Sequence, residues 1–64
     1  MPISAIKLAE EHGAKLHRNA LLNPNPWIVL DQRDNSLWTR SFKTKRAAAL
    51  AFIHEKRLSQ FLYR

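Results

Sequence analysis

The 64-residue chain predicts an α+β domain of order α-β-β-β-α, a three-stranded antiparallel sheet with both helices packed on one face. Three observations lead there. Stretches with helix caps lie at the two ends of the chain, aromatic and β-branched runs fill the middle, and Asn23-Pro24-Asn25-Pro26 breaks any regular structure between them. Length bounds the rest, because a chain this short makes one domain, residues 1–64, with a thin core.

Residues 4–12 read as the first helix. Ser4 caps it, Ala5, Ile6 and Ala9 recur on one face, and Gly13 offers a left-handed stop. Over residues 14–20, apolar Ala14, Leu16 and Ala20 alternate with polar neighbours, which allows a short strand. After the proline loop, Trp27-Ile28-Val29-Leu30 is a strand, and residues 37–42 form another. Asp34-Asn35 suits the two central positions of a tight hairpin between them.

With that turn, Trp27, Val29, Trp38 and Phe42 share a face with Asp31 and Arg40, and their bulk marks it as the core face. Ile28, Leu30 and Leu37 share the other with Gln32, Thr39 and Ser41, an uncharged aliphatic face suited to a homodimer or a protein partner. The last helix is expected over residues 45–63, capped by Thr44 and propagated by Ala47-Ala48-Ala49. A period of about 100° per residue puts Ala47, Leu50, Ala51, His54, Leu58, Phe61 and Leu62 on its core face, with His54 buried and hydrogen-bonded. Lys45, Phe52, Lys56 and Tyr63 then face outward, where aromatic and basic groups could stack on bases.

Composition narrows function. Eleven Lys and Arg against five Asp and Glu give a net charge of +6 and a pI near 10.6, which favours phosphate backbones as partners. Cysteine is lacking, so disulfides, thiolate metal sites and a thiol nucleophile are excluded, and a cytoplasmic location is expected. The sequence contains no apolar run long enough to span a bilayer, and its acidic N-terminal stretch does not read as an export signal. The acidic residues form no acid–base pair, Gly13 is the sole glycine, and the three histidines fit no metal spacing. Neither an enzyme nor a cofactor or metal site is expected.

The most informative local feature is the start of the last helix. Lys43, Lys45 and Arg46 crowd an end that already carries about half a positive charge, where a sequence tuned for stability alone would place acids. An incoming anion would meet free backbone N–H groups and three cations together.

At this point the chain resembles a double-stranded-RNA-binding domain. Leu8-Ala9-Glu10-Glu11-His12-Gly13 is similar to the end of that family's first helix, and Thr44-Lys45-Arg46-Ala47-Ala48 to the Ser/Thr-Lys-Lys-x-Ala opening of its second. The resemblance implies that Lys43, Lys45 and Arg46, with Thr44, clamp phosphates across the major groove. It places Lys7 and Glu11 on the RNA side of the first helix and Asn23 and Asn25 in a minor-groove loop. A shorter resemblance, carried by Trp27 to Phe52 and the string FKTKRAAALAF, is to the sheet-plus-helix DNA-binding domains of tyrosine-recombinase N-termini and ethylene-responsive factors. It implies double-stranded DNA held on the outer sheet face. Duplex RNA is thus the first expectation and duplex DNA the second. A small interaction module or inhibitor with an acidic partner is the third.

Overall fold

The computed structural model describes residues 4–62 and has the expected order: α1 (Ala5–Glu11), β1 (Ala14–Arg18), β2 (Trp27–Asp31), β3 (Ser36–Phe42) and α2 (Lys45–Glu55). Two 3-10 turns, Ala20–Leu22 and Ser59–Leu62, complete it. The sheet is antiparallel in the order β1-β2-β3. Ala5, Leu8 and Ala9 of α1 join Ala48, Ala49, Phe52 and Ile53 of α2 and Ala14 and Val29 of the sheet in one buried cluster, so both helices cover the same sheet face.

Local chemistry sets the boundaries. The Ser4 hydroxyl accepts from Lys7 N–H at 3.1 Å, the capping geometry its position predicts. Gly13 stops α1 at φ +98°. A Cβ there would sit 2.8 Å from Arg33 Cγ, so both backbone and space demand glycine.

The hairpin departs from the two-residue turn that Asp34-Asn35 suggests. Asp31 pairs with Ser36, leaving a four-residue loop, and only Asn35 (φ 51°) takes the left-handed conformation. The cause is Asp31, whose Oδ1 accepts from Arg33 N–H at 3.1 Å and Asp34 N–H at 3.3 Å and so folds the loop around its own side chain. The register then recovers. Between Ile28 and Leu30 β2 has one residue, while between their partners Ser41 and Leu37 β3 has three. This irregularity adds two residues to β3, an even number, so the alternation survives. Val29 is fully buried, and Trp27, Trp38 and Phe42 are half-buried on the same face, as the alternation predicts.

On that face Asp31 is 1% exposed. Lys56 reaches it from the end of α2 at 2.7 Å and also holds Asp34 at 2.9 Å. The nearby ammonium draws the Asp31 carboxyl below the usual carboxylate range, outweighing the opposing effect of burial. The same contacts with Asp31 and Asp34 raise Lys56.

α2 differs from its expected form in length and phase. It ends at Glu55 rather than reaching residue 63, which lies outside the described residues. Arg57 takes φ 57°, its N–H donates to His54 O at 3.2 Å, and Leu58 N–H donates to Ile53 O at 2.9 Å. This is a Schellman closure with arginine where glycine is usual. It fixes Lys56 over the hairpin. The buried face consists of Ala48, Ala49, Phe52 and Ile53, whereas Leu50 is 38% exposed and His54 is exposed. Phe52, expected outside, is fully buried and stacks on Trp38 with ring centroids 6.0 Å apart. Bulk decides the phase: Phe52 and Ile53 fill more of a thin core than Leu50 and Ala51 could.

A candidate nucleic-acid interface at the basic end of the sheet

Strand register assigns every loop to one of two ends. Ala14 pairs with Asp31 and Asp31 with Ser36, so the start of β1, the hairpin and the last turn of α1 share one end. Arg33 ties them together, its guanidinium donating to Glu11 O at 3.4 Å. At the other end Arg18 pairs with Trp27 and Trp27 with Phe42. The end of β1, the 19–26 loop and the start of α2 therefore meet there. Lys45 confirms the closure, its ammonium lying 5.9 Å from the centre of the Trp27 ring.

This topology sorts the charges. The five acidic residues are Glu10, Glu11, Asp31, Asp34 and Glu55. Each lies in the last turn of α1, in the hairpin or at the end of α2, all at the hairpin end. Residues 12–30 and 35–54, which run to the opposite end and back, contain none. Arg18, Lys43, Lys45 and Arg46 gather at that end, and Arg40 on β3 lies 5.2 Å from the Phe42 ring. Arg33, Lys56 and Arg57 share the hairpin end with the acids, so charge is nearly balanced there, whereas the cations of the opposite end have no acid among them.

The start of α2 is the focus of the basic end. Thr44 is extended (φ −132°, ψ 161°) and its Oγ1 accepts from Ala47 N–H at 3.0 Å. Ahead of that bond, the amides of Lys45 and Arg46 have no acceptor within the helix, as in any first turn. Lys43 and Arg46 are exposed and Lys45 is half-buried against Trp27. Three cationic residues thus lie within the first turn of α2 or two residues before it, beside its first-turn amides and the positive end of the helix.

The other candidate residues distribute unevenly. Asn23 and Asn25 are exposed in the 19–26 loop at the basic end. Lys7, exposed in the first half of α1, lies a turn before Glu11. Glu11 itself stands at the acidic end beside Arg33, so the structure does not bring it together with Lys43, Lys45 and Arg46. Phe52 is enclosed in the core and cannot stack on bases, and Tyr63 lies outside the described residues.

The outer sheet face also needs correction. Opposite Leu30 and Ile28, β1 places Lys15 and His17, so this face is charged. Ile28 and Leu30 are half-buried and only Leu37, at 62%, is widely exposed. The first strand was too weakly patterned for its contribution to be read from the sequence. A cleft of about 510 Å³ lies beside Asp31, Asp34, Trp38, Arg40, Glu55 and Lys56. Its two aspartates are committed to Lys56.

Among the described residues no helix is long and apolar enough to cross a membrane. Compared with known proteins, the chain matches no family model, no curated protein and no solved structure.

Proposed function

We propose that this domain binds duplex nucleic acid by clamping backbone phosphates at the start of α2, with Lys43, Lys45 and Arg46 as the clamp and Thr44 as the cap that shapes it. The observation that carries the reading is charge segregation: all five acidic residues lie at one end of the sheet and the clamp at the other. A fold that needed its cations only for solubility would gain by placing acids in the first turn of α2, and it places none. RNA and DNA duplexes offer the clamp the same phosphate chemistry. Duplex RNA is the ligand implied by the resemblance of the helix-start motif. A second reading, duplex DNA, is favoured by Lys15 and His17, which add polar and basic groups to the open sheet face.

The test is a titration of the chain with RNA and DNA duplexes of equal length at fixed salt, comparing wild type with Lys43→Ala/Lys45→Ala/Arg46→Ala. The triple variant should remain folded, since alanine propagates helices and the substitutions remove cations from a positive helix end. Near-complete loss of binding supports the clamp, and retained affinity overturns it. Losses larger at Lys15, His17 or Thr39 than at the clamp would move the contact to the open sheet face.

A further inference from the structure

The 19–26 loop presents apolar side chains to solvent at the basic end of the sheet. Leu21 is 92% exposed, more than any other large hydrophobic residue described, and Leu22 is 41% exposed. A lone exposed leucine is ordinary. This one is held out by a stiff backbone: Asn19 N–H donates to Pro26 O at 2.7 Å, Asn25 N–H to Leu22 O at 3.0 Å and Leu21 N–H to Asn19 Oδ1 at 3.1 Å. Asn23 and Asn25, both exposed, follow the leucines, and Arg18 stands at the base of the loop.

We propose that this loop is an apolar wedge for double-stranded DNA. Leu21 enters the minor groove and opens a base step, Asn23 and Asn25 face base edges beside it, and the basic end holds the flanking phosphates. Leucine is among the side chains that minor-groove proteins use to part stacked bases, and asparagine among those that read the groove's edges. An anionic lipid surface would attract the same cations and leucines. It would also draw two amides toward an apolar layer that cannot hydrogen-bond them, a cost the groove avoids. The wide, shallow minor groove of A-form RNA would receive Leu21 on sugar surface, whereas pyrimidine–purine steps of DNA unstack readily. The inference rests on the duplex-binding reading and narrows it to DNA.

The test uses a DNA duplex carrying 2-aminopurine beside a central TA step, an RNA duplex of the same sequence, and phosphatidylcholine vesicles with and without phosphatidylserine. Wild-type protein should brighten the DNA probe as the step unstacks. Leu21→Ser, a change at an exposed position that leaves the fold intact, should abolish the brightening and weaken DNA binding about tenfold, while Lys43→Ala/Lys45→Ala/Arg46→Ala reports the clamp separately. A Leu21→Ser protein that binds and brightens like wild type overturns the wedge and leaves the clamp standing. RNA bound more tightly than DNA, with the same sensitivity to Leu21, overturns the choice of DNA. Leu21-dependent binding to phosphatidylserine vesicles without brightening of DNA assigns the loop to lipid and overturns the proposal. Failure of wild type to bind any duplex overturns both wedge and clamp.

Discussion

Phe52→Ala tests the phase of α2, on which the position of the whole basic end depends. Phe52 is fully buried and stacked on Trp38. Truncating a buried phenylalanine costs about 3–5 kcal/mol, including the cavity left behind. A domain of this length has roughly 3–10 kcal/mol of stability in all, at about 0.05–0.15 kcal/mol per residue. The variant should therefore lose most of its stability, with Tm falling by on the order of 12–40 °C at about 4–8 °C per kcal/mol. Leu50→Ala is the matched control. Its side chain is 38% exposed, so it should cost under about 1.5 kcal/mol. Urea unfolding followed by far-ultraviolet circular dichroism gives both values, and tryptophan fluorescence adds a local report because Trp38 loses its stacking partner. A Phe52→Ala protein within about 1 kcal/mol of wild type, or a larger loss for Leu50→Ala, would refute the reasoning and restore the phase read from helical periodicity.

Gly13→Ala should destabilise by about 1–2 kcal/mol, because alanine resists φ +98° and its Cβ meets the Arg33 side chain; unchanged urea midpoints would show that Arg33 moves aside freely. The Asp31–Lys56 pair makes stability depend on pH in two windows. Asp31 is lowered by folding, so its contribution is present above about pH 4 and lost as pH falls through the lowered value. Lys56 is raised, so its contribution is complete below about pH 10 and lost as pH climbs through the raised value. Lys56→Met should remove the alkaline loss and shrink the acid one, leaving what Arg33 N–H and Asp34 N–H still provide; an unchanged profile of Tm against pH would contradict the pairing.

Much of the fold was legible because its signals are local. Ser4, Gly13 and Thr44 mark helix ends by side-chain and backbone chemistry alone, and alternation along β2 and β3 survives the irregularity in β3 because that adds an even number of residues. The phase of α2 was not legible. Alanine at 47, 48, 49 and 51 makes the apolar pattern nearly continuous around the helix, so periodicity fits two phases and only the volume of Phe52 and Ile53 separates them. The end of α2 escaped for a related reason: it depends on Lys56 finding Asp31 and Asp34, more than twenty residues away in sequence. At the candidate site, clustering of Lys43, Lys45 and Arg46 is visible in the sequence. Segregation of the acids to the far end appears only once strand pairing joins residues 10–11, 31–34 and 55, although the two long acid-free stretches were a signal available beforehand.

The central claim is that the basic end holds phosphates. It is tested most directly by the salt dependence of binding to a B-form DNA duplex, measured for wild type and for Lys43→Ala/Lys45→Ala/Arg46→Ala. With Arg18, Lys43, Lys45 and Arg46 each meeting a phosphate, log affinity should fall against log salt with a slope of about −3.6, at roughly 0.9 per contact. The weak residual binding of the triple variant, read at low salt, should have a slope of about −0.9. A steep slope that survives the triple substitution, or an affinity indifferent to salt, would contradict the account.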